Sequence, residues 1–399
     1  MMRINRSSRL YRIALWLLLA ASLAALWQLN ARVLSHPAYI PVDDFSHYWG
    51  AGRLLLSGEN PYDSQRIQAL KNEVAGMQDD PETIPIMWTP PWSLPIVMPF
   101  GWLDYPLSRL LWLLANIAVI LVCCSQVWQH YADAPKYPWL PWLIGFTFAP
   151  TISVLEKGQI TPWMLLGMIG FMVSLERKQN ELAAGAFAAL IALKPQSFYL
   201  FWLALALWAL SSRRWKVILA CGLTLLAATL LPSLFNRQVA PQYIQAFMAE
   251  APTVWATPTL GAYLRLFFGV EKTWLQFLPM LIGSIWCLSH YRINRRRWRW
   301  SEQMPLLMLV SFVFAGYGWT YDQVLSLIAV LPVFALVARQ PWSRRHAWLL
   351  GLYLLITLLD LFLHRWLDEF WFLWLAPALL AWYGMARRWF EPKPMPEAA

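Results

Sequence analysis

Long apolar runs dominate this chain and restrict it more than any motif does. Twelve can be traced, near residues 10–33, 106–128, 138–155, 161–175, 182–193, 197–211, 215–233, 272–291, 304–317, 321–339, 346–364 and 368–386. About 20 apolar residues cross a bilayer as a helix, and a helix bonds every backbone group internally, as hydrocarbon demands. Several runs are shorter than that. Those around Lys194 and between Tyr317 and Asp322 read as broken or re-entrant. The expected fold is all-α: a polytopic membrane protein with about 12 transmembrane helices (roughly 10–13). A soluble chain of 399 residues would fold as two or three domains. With 59% hydrophobic and 14% charged residues it could not cover their surfaces. The 27 Trp suit membrane interfaces, and the 28 Pro are tolerated in spanning helices.

The formal net charge of +10 suggests nucleic acid until it is mapped. The basic residues fall in short clusters between apolar runs, as orientation in a membrane requires. Nucleic acid is therefore not expected as a partner. Arg292, Arg295, Arg296, Arg297 and Arg299 mark 292–300 as cytoplasmic. With both termini cytoplasmic, most Lys and Arg lie inside and most Asp and Glu outside. Arg3, Arg6, Arg9 and Arg12 precede the first run as in a signal peptide. Eleven runs follow it without a clean cleavage site, so an uncleaved anchor is expected. Cys123, Cys124, Cys221 and Cys287 sit inside apolar runs and read as small core residues.

One transmembrane domain, 1–390, is expected, with a disordered cytoplasmic tail at 391–399. Two stretches do not span: an external loop at 34–105, rich in Pro, Trp and acids, and a second at 234–271. A channel or minimal carrier has little need of so large a first loop. The two halves of the chain show no repeat of the kind inverted-repeat transporters carry.

The first loop opens with Asp43, Asp44, Phe45 and continues to Asp63. Phe45, Trp49, Leu54, Leu55 and Leu56 predict a short amphipathic helix lying in the membrane interface and ending at Gly58. Asp44 stands at its start, with Tyr48 one turn on and on the same face. On residue type Asp44 is a helix cap. It is also a carboxylate placed to take a proton from a hydroxyl.

These residues carry a family resemblance. Asp44-Phe45-x-x-Tyr48, Ala51-Gly52 and Gly58-x-x-Pro61-Tyr62-Asp63 resemble the first loop of glycosyltransferase family 87, in the C-class glycosyltransferase superfamily. The resemblance continues at Thr89-Pro90-Pro91 with Pro95 and Pro99, at Gly158-Gln159, and from Gly185 to Lys194-Pro195, covering about residues 40 to 200. It implies a polyprenyl-phosphate sugar donor, usually mannose, a lipid or glycan acceptor, and a bacterial inner (plasma) membrane with the site on the non-cytoplasmic face. It implies Asp44 as general base. Family members often carry Trp-x-His-His before a late span; here the stretch is Trp319-Thr320-Tyr321-Asp322, with no histidine to meet a donor phosphate.

Lys194 is the candidate cation for that phosphate, as a point charge at membrane depth; its alternative is snorkelling. Arg265 is a second candidate. Asp43, Tyr48, Arg53, Tyr62, Gln159, Tyr321 and Asp322 complete the expected substrate-binding set, with Arg53 alternatively bracing the loop through an ion pair. Glu156 and Lys157 read as a solvated turn. No metal spacing, Walker motif or dinucleotide fingerprint occurs, so no metal or cofactor is expected. Besides membrane lipids, the partners are the lipid-linked donor and the acceptor. The rival expectation is a transporter or flippase for a lipid or small solute, which broken spans and an intramembrane lysine also suit.

Overall fold

The computed structural model describes residues 43–75, 87–132, 137–249 and 257–390. The expected span at 10–33 and the tail from 391 lie outside the described residues, as do parts of both expected loops. Among the described residues every regular element is helical. Four helical segments are long and apolar enough to cross a bilayer: Tyr105–Tyr131, Trp215–Ser233, Thr320–Val337 and Arg344–Leu363. Shorter apolar helices include Thr161–Glu176, Glu181–Ile191 and Tyr199–Ser212. A full set of twelve continuous spans is not reproduced, because several runs are interrupted.

The interruptions have local causes. The 138–155 run divides into Leu140–Thr147 and Ala149–Glu156, with Phe148 extended between them. Pro150 has no N–H for a continuous helix, and it fits the first turn of a new one. Residues 192–198, around Lys194-Pro195, turn between Glu181–Ile191 and Tyr199–Ser212. The chain is irregular after Phe314 and re-enters through a tight 3-10 turn, Thr320–Ser326, that runs into Leu327–Val337. Small residues let neighbouring helices meet closely. A Cβ on Gly185 would collide with the Val217 carbonyl and lie 2.7 Å from Ala220 Cβ, so Glu181–Ile191 crosses Trp215–Ser233 at backbone distance.

The first-loop helix forms over Phe45–Leu56, as its pattern predicts. Phe45, Trp49, Leu54 and Leu55 on its apolar side are buried against protein. Phe45 stacks on Trp112 with ring centroids 5.5 Å apart, and Trp49 meets Tyr105 edge-on at 5.3 Å. These aromatic contacts fasten the first helix to the Tyr105–Tyr131 helix.

The Thr161–Glu176 helix separates two ends of the molecule. Gln159 and Thr161 stand at its start. At its finish, Glu176 accepts from the Ser301 backbone N–H at 2.9 Å, next to the Arg292–Arg299 cluster. Sixteen residues make this helix about 24 Å long. The polar residues at its start and the basic cluster therefore lie at opposite ends.

Candidate functional site

Asp43 and Asp44 enter the first helix together and then part. Asp43 Oδ1 accepts from the Phe45 N–H at 3.1 Å, and Asp43 Oδ2 accepts from Arg109 Nε at 2.7 Å. The Tyr105 hydroxyl adds a longer contact at 3.4 Å. Burial outweighs the guanidinium and pushes the Asp43 carboxyl up to about 6. Asp44 occupies the cap position, but its side chain makes no cap bond. Its Oδ2 accepts from Gln159 Nε2 instead.

Gln159 is presented by a turn that the Tyr105–Tyr131 helix grips. Arg109 Nη2 donates to the Leu155 and Glu156 carbonyls at 3.1 and 3.0 Å. Trp112 Nε1 donates to Gly158 O at 2.7 Å, and Asn116 Nδ2 to Gln159 O at 3.2 Å. Spacings of three and four put these side chains on one helix face. Gly158 closes the turn at φ +64°, where a Cβ would sit 2.7 Å from Phe45 Cβ. The Asp44 N–H donates to Lys157 O at 3.1 Å, stitching this turn to the first helix. The sequence reading missed Arg109, Trp112 and Asn116. Their signal was a polar residue inside an apolar span, which has to find a partner.

The Gln159 amide is oriented by its neighbours. Its Oε1 accepts from Lys194 Nζ at 2.6 Å and from the Tyr48 hydroxyl at 3.0 Å. Lysine can only donate, so the amide oxygen must face it and the NH₂ must face Asp44. Lys194 also reaches Asp322 Oδ1 at 2.9 Å and Thr161 Oγ1 at 3.3 Å, while Thr161 donates to Asp322 at 2.6 Å. At 9% exposure, with Asp322 at 1%, Lys194 does not snorkel; it forms a buried ion pair. The Tyr321 ring lies 4.9 Å from Lys194 Nζ and 5.9 Å from Lys157 Nζ, within cation–π range of both. Asp44, Tyr48, Gln159, Lys194, Tyr321 and Asp322 thus come together from four separate stretches of chain.

The other expected residues stand apart. Arg265 Nε and Nη2 donate to Val270 O at 3.0 and 2.6 Å, and Nη1 to Gln276 Oε1 at 3.2 Å. Arg53 forms no ion pair among the described residues, contrary to the bracing expectation. It lies 5.3 Å from the Trp49 ring and reaches Leu103 O at 3.5 Å. The Tyr62 hydroxyl donates to Thr89 O at 3.3 Å, and its ring packs on Tyr243 at 5.2 Å.

The Trp319–Asp322 stretch has a histidine neighbour from elsewhere in the chain. It contains no histidine, yet His364 reaches it from a later helix end, with Nε2 3.0 Å from Thr320 Oγ1. Thr320 in turn bonds Glu369, and Lys157 pairs with the same carboxylate at 3.5 Å. Lys157 is therefore held rather than merely solvated. No group of three or more His, Cys, Asp or Glu among the described residues is placed to hold a metal ion.

The solved structure of ArnT from Cupriavidus metallidurans in the apo state aligns with 94% of this chain and 76% of its own, at 14% identity and a TM-score of 0.41. No curated protein matches the sequence. The model of glycosyltransferase family 87 matches residues 89–315. That range holds Gln159, Thr161 and Lys194; it begins after the first-loop motif and runs well past residue 200. It covers more than half of the chain. The protein belongs to glycosyltransferase family 87, and its long apolar helices make it a membrane glycosyltransferase.

Proposed function

We propose that this enzyme transfers a hexose, mannose being the first candidate, from a polyprenyl-phosphate carrier to a lipid or glycan acceptor at the non-cytoplasmic face. Asp44 acts as general base. The acceptor oxygen attacks the anomeric carbon from the side opposite the phosphate and inverts it. The sugar–oxygen bond to phosphate breaks, its electron pair leaves with the phosphate, and the hydroxyl proton passes to Asp44.

The observation that carries this reading is the Asp44–Gln159–Lys194 chain. Gln159 occupies Asp44 Oδ2, which leaves Oδ1 to receive the proton. A base held in one orientation by a neighbouring amide is pre-organised, as general base catalysis needs. Lys194 is already neutralised by Asp322. Its part is then to fix the Gln159 amide, and a direct role on the donor phosphate would require it to give up that partner. Lys157, with a side chain 40% exposed above the same Tyr321 ring, is the more accessible cation. Arg265, held by the Val270 carbonyl and Gln276, is kept as a second candidate for the donor phosphate. The placement of the Arg292–Arg299 cluster at the opposite end supports a non-cytoplasmic site. Family membership displaces the carrier alternative.

The test is turnover of polyprenyl-phosphate mannose by purified protein in lipid nanodiscs, with candidate acceptors. Release of polyprenyl phosphate coupled to acceptor labelling, lost in Asp44→Asn, is the expected result. Turnover that survives Asp44→Asn would remove the proposed base.

A further inference from the structure

Two loops carry the proposed site: the 156–159 turn, with Gln159, and the Thr320–Ser326 turn, with Tyr321 and Asp322. Glu369 touches both. Its Oε2 accepts from the Thr320 backbone N–H at 3.0 Å and from the Thr320 hydroxyl, and its Oε1 lies 3.5 Å from Lys157 Nζ. A carboxylate at the first N–H of a helical turn satisfies an orphan donor and meets the positive end of the turn.

His364 stands behind Glu369, and its charge state follows from counting protons. Its Nδ1 faces the Asp360 carbonyl at 2.9 Å and Asp360 Oδ1 at 3.4 Å. A carbonyl and a carboxylate only accept, so Nδ1 carries a hydrogen. Nε2 faces Thr320 Oγ1 at 3.0 Å. The Thr320 hydroxyl has one proton and gives it to Glu369, so its oxygen accepts and Nε2 carries a hydrogen as well. A ring with both nitrogens protonated is an imidazolium. Phe372 covers it, with ring centroids 3.8 Å apart. Burial opposes the charge, but the Asp360 and Glu369 carboxylates outweigh it and hold the imidazole at about 10. Glu369, despite its own burial, is held below the usual carboxylate range by His364, Thr320 and Lys157.

We propose that Glu369, backed by the imidazolium of His364, is a positioning residue that clasps the Thr320–Ser326 turn to the 156–159 turn and so holds Tyr321 and Asp322 in place around Lys194. Asp360, His364, Glu369 and Lys157 are the charged groups of the clasp; Lys157 meets Asp44 only through its backbone carbonyl, which accepts from the Asp44 N–H at 3.1 Å, and the Asp44 carboxylate bonds Gln159 instead. The clasp rests on the proposed function only for the reaction it serves. Misplacement of a site by about 1 Å can cost on the order of 100-fold in rate. Glu369→Gln keeps an acceptor for Thr320 but loses the charge. It should lower kcat about ten- to a hundred-fold and leave KM nearly unchanged.

The test uses the full chain in lipid nanodiscs and begins with two readouts that need no substrate. ¹⁵N-histidine labelling reports the charge of His364, identified by the signal missing in His364→Gln. 3-Fluorotyrosine at position 321 reports the position of the turn. We expect a doubly protonated His364 at pH 8, a midpoint lowered by about one unit or more in Glu369→Gln, and a fluorine shift in Glu369→Gln that is absent in Arg66→Gln, which breaks an exposed pair. A neutral His364 at pH 8 overturns the proposal, as does an unmoved Tyr321 resonance in Glu369→Gln. If Glu369→Gln does not fold, the charge of His364 in the unaltered protein and the Tyr321 shift in His364→Gln decide. Turnover of polyprenyl-phosphate mannose separates the two readings. No turnover by the unaltered protein, with both resonances as expected, defeats the donor assignment and leaves the clasp standing. Turnover with an unchanged kcat in Glu369→Gln defeats the clasp.

Discussion

Asp43 and Asp44 are neighbours in the chain, yet their carboxylates answer to different partners, Asp43 to Arg109 at 2.7 Å and Asp44 to the Gln159 amide. One fastens the first-loop helix to the bundle, and the other keeps one oxygen without a partner among the described residues. The two residues should therefore separate experimentally. Asp44→Asn keeps the size of the side chain and should lower turnover by about two to four orders of magnitude with little change in thermal stability. Asp43→Asn should retain far more activity. Parallel rates and unfolding curves for both variants check this.

Asp43 also predicts a pH effect of definite sign. Its carboxyl is raised from 3.8 to about 6, so the folded state binds that proton more tightly than the unfolded chain. Its contribution is full below about pH 3.8, declines from there to about 6, and is gone above. The Tm of the unaltered protein minus that of Asp43→Asn should fall between about pH 4 and 6 and then stay level. A flat difference across that window would contradict the raised carboxyl.

His364 gives the same sign in another window. Its imidazole is raised from 6.5 to about 10. The stability it adds is full below about pH 6.5, declines above it, and vanishes beyond about 10. Thermal unfolding of the unaltered protein should converge on that of His364→Gln as pH rises through this range. Curves that stay parallel from pH 6.5 to 9.5 would refute it.

The Lys194–Asp322 pair is buried, and breaking one side leaves the other charge without a partner. Lys194→Met should cost about 3–5 kcal/mol of stability, and Lys194→Met combined with Asp322→Leu should recover most of it. Donor affinity in that double variant then separates the two roles considered for Lys194. Affinity retained means that the lysine serves the protein, whereas affinity lost means that it serves the phosphate.

Orientation can be read from the exposed positions Gln65 and Arg296, Ser301 being buried and unsuited to labelling. Cysteines placed there should label from opposite sides, with Gln65→Cys reached by an impermeant reagent from outside. The four native cysteines are all buried and contribute little background. Labelling of Arg296→Cys from outside would invert the topology and strand the proposed site in the cytoplasm.

The sequence by itself determined that this chain is helical and lives in a membrane. Long runs of apolar residues satisfy the backbone in hydrocarbon as helices, and the short runs around Lys194 and between Tyr317 and Asp322 already marked two breaks, whereas the break at Phe148 within the 138–155 run was not foreseen. It also exposed Asp44, Gln159, Lys194 and Asp322, since polar residues beside or within apolar runs need a reason to be there. Partnership was decided only by the tertiary structure. Lys194 meets Asp322 across 128 positions, Gln159 meets Asp44 across 115, and Arg109 meets Asp43 across 66. Local periodicity says which face of a helix a residue occupies, but not which distant residue will stand opposite. The clasp shows this most plainly. Asp360, His364 and Glu369 look like scattered charges near the end of a span. They become a chain of hydrogen bonds and ion pairs only because helix packing delivers Thr320 and Lys157 to the same place.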